Sequence, residues 1–197
     1  MAKLELWYPI KPHYVTQPFG VNGEYYRANG INIKGHNGLD LRALHDQPVY
    51  ASHDGICYPG IDSRSGYGVV IRTLEPKDYN GEQVYFKTIY WHFLKNILVK
   101  AGQEVKAGDL IGYADNTGLS NGDHLHFGLK PQAQNESNGE WWNVENDNGY
   151  GGAVDPTPYF NGFYARDAAS VITNLKTQVT ILKNVVELLK NALKVIR

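Results

Sequence analysis

The stretch Asn121–Leu129, NGDHLHFGL, decides how the fold is read. On a β-strand, residues i and i+2 project from the same face. Leu125, Phe127 and Leu129 alternate with His124, His126 and Gly128, the period-two pattern of a half-buried strand. One face is apolar, and the other presents two imidazoles to a shared space. Seven histidines in 197 residues would produce an H-x-H by chance roughly one time in four. The pair therefore gains meaning only from partners elsewhere in the chain.

Working outward, the segments 47–52 (QPVYAS), 67–74 (YGVVIRTL) and 83–93 (QVYFKTIYWHF) also read as strands. Asn80-Gly81 between two such segments predicts a tight hairpin. Ala-Gly-Gln at 101–103 and Ala-Gly-Asp at 107–109 predict two further turns between short apolar strands. With 21 glycines, the expectation for residues 1–163 is a mainly β body, an antiparallel sheet or sandwich-like arrangement. The polar segment 135–156, which carries Trp141 and Trp142, reads as a loop near the site. The tryptophans are candidate walls for a substrate or a cover for the core.

The formal charge of −1 gives no footprint for nucleic acid. The single cysteine, Cys57, excludes an internal disulfide and a Cys-based zinc site; it is expected to pack as a small hydrophobe. The opening MAKLELWYPIKP is interrupted by Glu5 and Lys11 and lacks the apolar run of a signal peptide. No apolar run reaches membrane-spanning length. Synthesis in the cytoplasm without a signal peptide is the expectation.

From Arg166 to Arg197 the text has no Gly or Pro. Ile172, Val179, Val186 and Leu193 take heptad position a, and Leu175, Leu182, Leu189 and Ile196 take d. This predicts an amphipathic helix over 166–197. Ile181, Leu188 and Val195 at c, with Val171 and Val185 at g, widen the apolar arc beyond a two-stranded seam. Six basic residues stand against two acidic ones in this stretch. The first expectation is a homo-oligomer formed through the helix; docking on the β body and contact with a membrane are the other two.

Three segments place histidines where chemistry could use them. His36 and Asp40 flank Asn37-Gly38, a bend-former that can bring an imidazole and a carboxylate around one ion. His92 lies in an aromatic strand, where a lone histidine is more often structural. His124 and His126 form the pair already described. One Asp with at least two His makes an N/N/O set, and catalytic zinc typically uses three such ligands. Spacing leaves open which of His124 and His126 would be a ligand.

The segments GHNGLDLRALHDQPVYASHDG, YGVVIRT, IYWHFLKN, VKAGQEVKAGDLIGYADNTGLSNGDHLHFGL and VDPTPYF resemble the lysostaphin/LytM-type peptidoglycan endopeptidases, in order and spacing, from about Phe19 to Phe160. The resemblance implies a zinc metalloendopeptidase with one Zn2+ per chain. It implies His36, Asp40 and His126 as metal ligands, with His92 and His124 as the catalytic pair beside them. It also implies bacterial peptidoglycan as the partner. Two positions depart from the family pattern: Trp91 stands where a small residue is frequent, and Asp123, read as solvated, where a proline is common. Tyr25 and Tyr26 are candidates to steady an oxyanion. His13, His45 and His53 match no functional position and are read as structural or surface residues. An enzyme of this kind without an export signal looks like a phage-type lysin, released by lysis or carried in a virion.

Two other readings compete. A non-catalytic wall-binding or structural protein of the same fold would be expected to lose ligands, and all five positions are intact. A swivelling carrier domain would need a modified lysine in a tight turn between particular flanking residues, and no lysine here has them.

Overall fold

The computed structural model describes residues 2–135 and 137–162, together with Val179 and Lys183. The helix expected over 166–197 otherwise lies outside the described residues. The body is mainly β, as read from the sequence. Its elements are β1 (Val15–Gln17), α1 (Gly23–Ala28), β2 (Leu39–Arg42), β3 (Pro48–Tyr50), β4 (Gly55–Asp62), β5 (Gly66–Thr73), β6 (Lys77–Tyr79), β7 (Glu82–Phe93), β8 (Glu104–Val105), β9 (Leu110–Tyr113), β10 (His124–Gln134) and β11 (Trp141–Asn143). A 3-10 turn over Thr157–Tyr159 follows.

Nine strands form one antiparallel sheet in the order β1-β2-β10-β7-β5-β4-β8, with β11 added to β10 and β6 to β7. β3 and β9 pair separately. The inner face of the large sheet carries the apolar half of each alternating strand. Leu125, Phe127 and Leu129 of β10, Phe86 and Tyr90 of β7, and Val69 and Ile71 of β5 are all buried. Val49 of β3, Ile111 of β9 and the N-terminal Leu4, Leu6 and Ile10 join the same core. Each such side chain contributes about 1.5–3 kcal/mol of burial, so the scaffold does not depend on polar contacts at the opposite face. Backbone bonds from Leu6 to Tyr159 O at 2.8 Å and from Trp7 to Ser52 O at 2.9 Å tie the N-terminal segment over this core.

The Asn80-Gly81 hairpin forms between β6 and β7, with Tyr79 opposite Glu82. Both turn residues have positive φ, 55° and 89°, as a type I′ turn requires. Gly102 and Gly108, at φ 78° and 82°, make the two Ala-Gly turns that bound β8. Two elements escaped the sequence reading. α1 is a six-residue helix, too short for periodicity to reveal. β11 lies inside the segment read as loop and pairs with β10 at Gln132–Gln134, away from the histidines.

Candidate active site

The outer face of the sheet builds the site. His126 of β10 sits directly opposite Asp40 of β2, and His124 opposite Arg42. Cross-strand neighbours of this kind have their Cβ atoms about 4.5–5.5 Å apart, so pairing alone brings an imidazole to a carboxylate. His36 enters from the loop ahead of β2. Its backbone N–H donates to Val21 O at 2.7 Å and its carbonyl accepts from Gly20 at 2.8 Å. The bend read from Asn37-Gly38 has a further reason: a Cβ at Gly38 would lie 2.5 Å from Phe127 O and 2.8 Å from the His126 ring. Only glycine lets the His36 loop pass this close to β10.

His36 Nε2, His126 Nδ1 and Asp40 Oδ1 converge. The two nitrogens are 2.9 Å apart, and each lies 3.1 Å from the Asp40 oxygen. Ligands about 2.0–2.1 Å from a tetrahedral ion stand roughly 3.3 Å from one another, so the donor set fits a zinc-sized cation. The Nδ1 of His36 lies 3.1 Å from Pro18 O. Donation there leaves the Nε2 lone pair facing the cluster. Burial opposes ionisation of Asp40, but the adjacent His126 and His36 rings outweigh it and hold the carboxyl well below the usual range. Burial lowers His126, against the pull of Asp40. A divalent cation requires its carboxylate ligand ionised, and Asp40 is held in that form.

His92 reaches the same space by a device that strand parity hides. Alternation along β7 points Phe86, Thr88 and Tyr90 into the core, and His92 would follow them. Instead the register with β5 slips: Gly68 pairs with Trp91, and Tyr67 with Phe93. His92 is the extra residue, at φ 66°. A bulge of this kind re-aims one side chain, here toward His124, with ring centroids 4.4 Å apart. His92 Nδ1 donates to Thr117 O at 2.6 Å, and His124 Nδ1 to Gly122 O at 2.8 Å. In both rings Nε2 is left as the free acceptor, and that of His124 lies 3.6 Å from Asp40 Oδ1. Burial lowers His92 to about 4, so it is a neutral base at pH 7. The two carbonyls belong to the loop after β9, and nothing in its sequence marks them as orienting groups.

These five residues line one cleft of 830 Å³ that also runs past Tyr26, Trp91 and Lys130. Tyr26, on α1, lies parallel to the His36 ring at 6.0 Å. Its hydroxyl accepts from Gln17 Nε2 at 2.8 Å. Burial, with Asp40 nearby, pushes that hydroxyl well above the usual range, so it keeps its proton. Tyr25 is 43% exposed and stands edge-on to Tyr26.

The remaining histidines lie apart from this cluster. His53 is buried, with Nε2 2.8 Å from Thr88 Oγ1 and Nδ1 2.8 Å from Asp54 O. His13 stacks on Tyr8. His45 is at the surface, 3.1 Å from Asp115 and 3.9 Å from Asp123. Asp123 is thus beyond hydrogen-bond reach of that ring. Cys57 is fully buried, and burial pushes its thiol up to about 12, which fits a packing role. Trp141 folds back over the outer face of the sheet, edge-on to Tyr85 at 4.9 Å. Trp142 is 45% exposed.

Known proteins are similar to this chain. Over 121 residues the chain is 33% identical to an uncharacterized metalloprotease of Haemophilus influenzae, covering 61% of this chain and 23% of that protein. It is 38% identical over 100 residues to the peptidoglycan DD-endopeptidase ShyA of Vibrio cholerae, covering 48% of this chain and 20% of that one. A zinc containing peptidase from Vibrio cholerae superposes with a TM-score of 0.51 at 32% identity, over 63% of this chain and 36% of the other. The matched region thus spans only about a fifth to a quarter of the length of these curated relatives. Residues 34–139 match the sequence model of Peptidase family M23. That range holds His36, Asp40, His92, His124 and His126, and the chain belongs to peptidase family M23.

Proposed function

We propose that this chain is a zinc-dependent endopeptidase that hydrolyses peptide stems or cross-bridges of bacterial peptidoglycan. The observation that carries the reading is the convergence of His36 Nε2, His126 Nδ1 and Asp40 Oδ1 within 3.1 Å of one another. These three would hold one zinc ion per chain. An ion there supplies Lewis-acid polarisation of a carbonyl oxygen and acidifies water.

The chain's own groups do the rest. His92 and His124, each with Nδ1 tied to a backbone carbonyl, turn Nε2 toward the cleft. One of the two rings takes a proton from the attacking water, and the same ring, now an imidazolium, returns it to the departing amine. The protonated Tyr26 hydroxyl is a donor for oxygen charge that develops in the transition state. The partly enclosed cleft orients the peptide beside these groups.

Elemental analysis tests the ligand set. Wild type should carry about one zinc per chain, and His36→Ala, Asp40→Ala and His126→Ala should lose it while remaining folded. Full zinc in His36→Ala would show the assignment to be wrong.

The heptad pattern of 166–197 supports self-association as the oligomeric reading. Light scattering on the full chain and on residues 1–166 should show an oligomer that becomes a monomer on truncation, with zinc retained. A full-length monomer at micromolar concentration would exclude it.

A further inference from the structure

Four residues beyond His126 on the same face of β10 stands Lys130. Lys130 lies opposite Lys87 of β7, and Lys87 opposite Arg72 of β5. Three cations therefore occupy one row across three adjacent central strands. Like charges placed directly opposite destabilise a sheet, and burial makes the row costlier. Desolvation, then Lys130 and Arg72, lower Lys87 to about 8. Among the described residues no carboxylate pairs with any of the three. Arg72 is pinned by Gln132 Oε1 at 3.2 Å and by the Trp141 ring, 3.9 Å from its guanidinium carbon. Lys130 Nζ donates to Gly151 O at 2.6 Å. Lys87, between them, has no acceptor among the described residues. The contacts of Arg72 and Lys130 serve the fold, but none offsets the burial of Lys87 between them, and that points to a use outside the fold.

The floor between the row and the histidines suits an extended peptide. Val70, Ile89 and Gly128 form the intervening row. Ile89 and Lys130 both line the cleft that contains the five site residues. At about 3.3 Å per residue, the four positions from His126 to Lys130 span about 13 Å. Trp141, lying over Arg72, covers the end of the row farthest from β10.

We propose that Arg72, Lys87 and Lys130 form a subsite for a carboxylate of the bound peptide, roughly three or four residues from the scissile bond. This rests on the peptidoglycan reading above and deepens it: the preferred substrates are strands with free carboxylates rather than amidated or uncharged ones.

Calorimetric binding to zinc-loaded His124→Ala protein separates recognition from turnover. The probes are a stem tetrapeptide with free carboxylates and the same peptide with those groups amidated. The acid should bind at least tenfold more tightly. The Lys87→Met/Lys130→Met double variant should bring the ratio of the two affinities close to one. Equal binding of acid and amide, no binding of the acid at millimolar concentration, or an undiminished ratio in the double variant would each overturn the proposal. Lys87→Met alone should raise Tm at low salt by relieving the row, and a lower Tm would contradict a row kept at a cost in stability. A preference for the acid together with wild-type protein that leaves peptide bonds intact would overturn the endopeptidase reading and leave the subsite standing.

Discussion

His92 shows how much a single residue can conceal. Its type and its place in the order of histidines were legible in the sequence, but its direction was not. Period-two reading sends it into the core with Phe86, Thr88 and Tyr90, and only the bulge at φ 66° turns it out. A non-glycine residue in this region costs about 1–2 kcal/mol. His92→Ala should therefore keep zinc and lose turnover by roughly 100- to 10,000-fold. His92→Gly should be equally inactive yet melt higher than the alanine variant, because glycine adopts this φ without strain. A His92→Ala enzyme with wild-type turnover would remove His92 from the mechanism. Gly38 offers the opposite case. The sequence marks it as a bend, but the approach of Phe127 O and the His126 ring belongs to tertiary contact. Gly38→Ala should cost about 1–3 kcal/mol and weaken metal binding, as a zinc titration would read. His53 gives the pH prediction. Burial lowers its folded pKa to about 4 from an ordinary 6.5. Between these values the unfolded chain binds the extra proton, so stability falls as pH drops from about 6.5 to about 4. Replacing it with His53→Gln should flatten the acid limb of Tm against pH by roughly 1–3 kcal/mol; an unchanged acid limb would contradict a buried neutral ring.

At the scale of elements, β10 serves both faces of the sheet. Leu125, Phe127 and Leu129 anchor it in the core, and His124, His126 and Lys130 face the cleft. This double use was readable because alternation is strict over the first six residues. The pairing of β10 with β2 was not readable, since antiparallel neighbours far apart in sequence leave no local trace. The β6–β7 hairpin was readable because Asn-Gly fixes its own turn. α1 and β11 were not, being only six and three residues long. Core and site should therefore fail separately. Leu125→Ala should cost about 2–5 kcal/mol, seen as a lower denaturation midpoint, whereas Asp40→Ala should abolish metal binding with the far-ultraviolet spectrum of the β body retained. Loss of the β spectrum in Asp40→Ala would mean that the outer face holds the fold.

At the scale of the molecule, one sheet separates two tasks. Its inner face joins the N-terminal segment, β3 and β9 in a single apolar core. Its outer face carries a candidate metal cluster, His92 and His124 beside it in one cleft, and a row of cations that meets that cleft at Lys130. The central claim is that this outer face cuts peptide bonds in bacterial walls. Purified peptidoglycan digested with the zinc-loaded chain, and read by mass spectrometry of the released fragments, tests it most directly. The account predicts new peptide termini from cleavage of a stem or cross-bridge bond, absent when His124→Ala replaces the wild type. Walls left with every peptide bond intact, or cut only in their glycan strands, would contradict it.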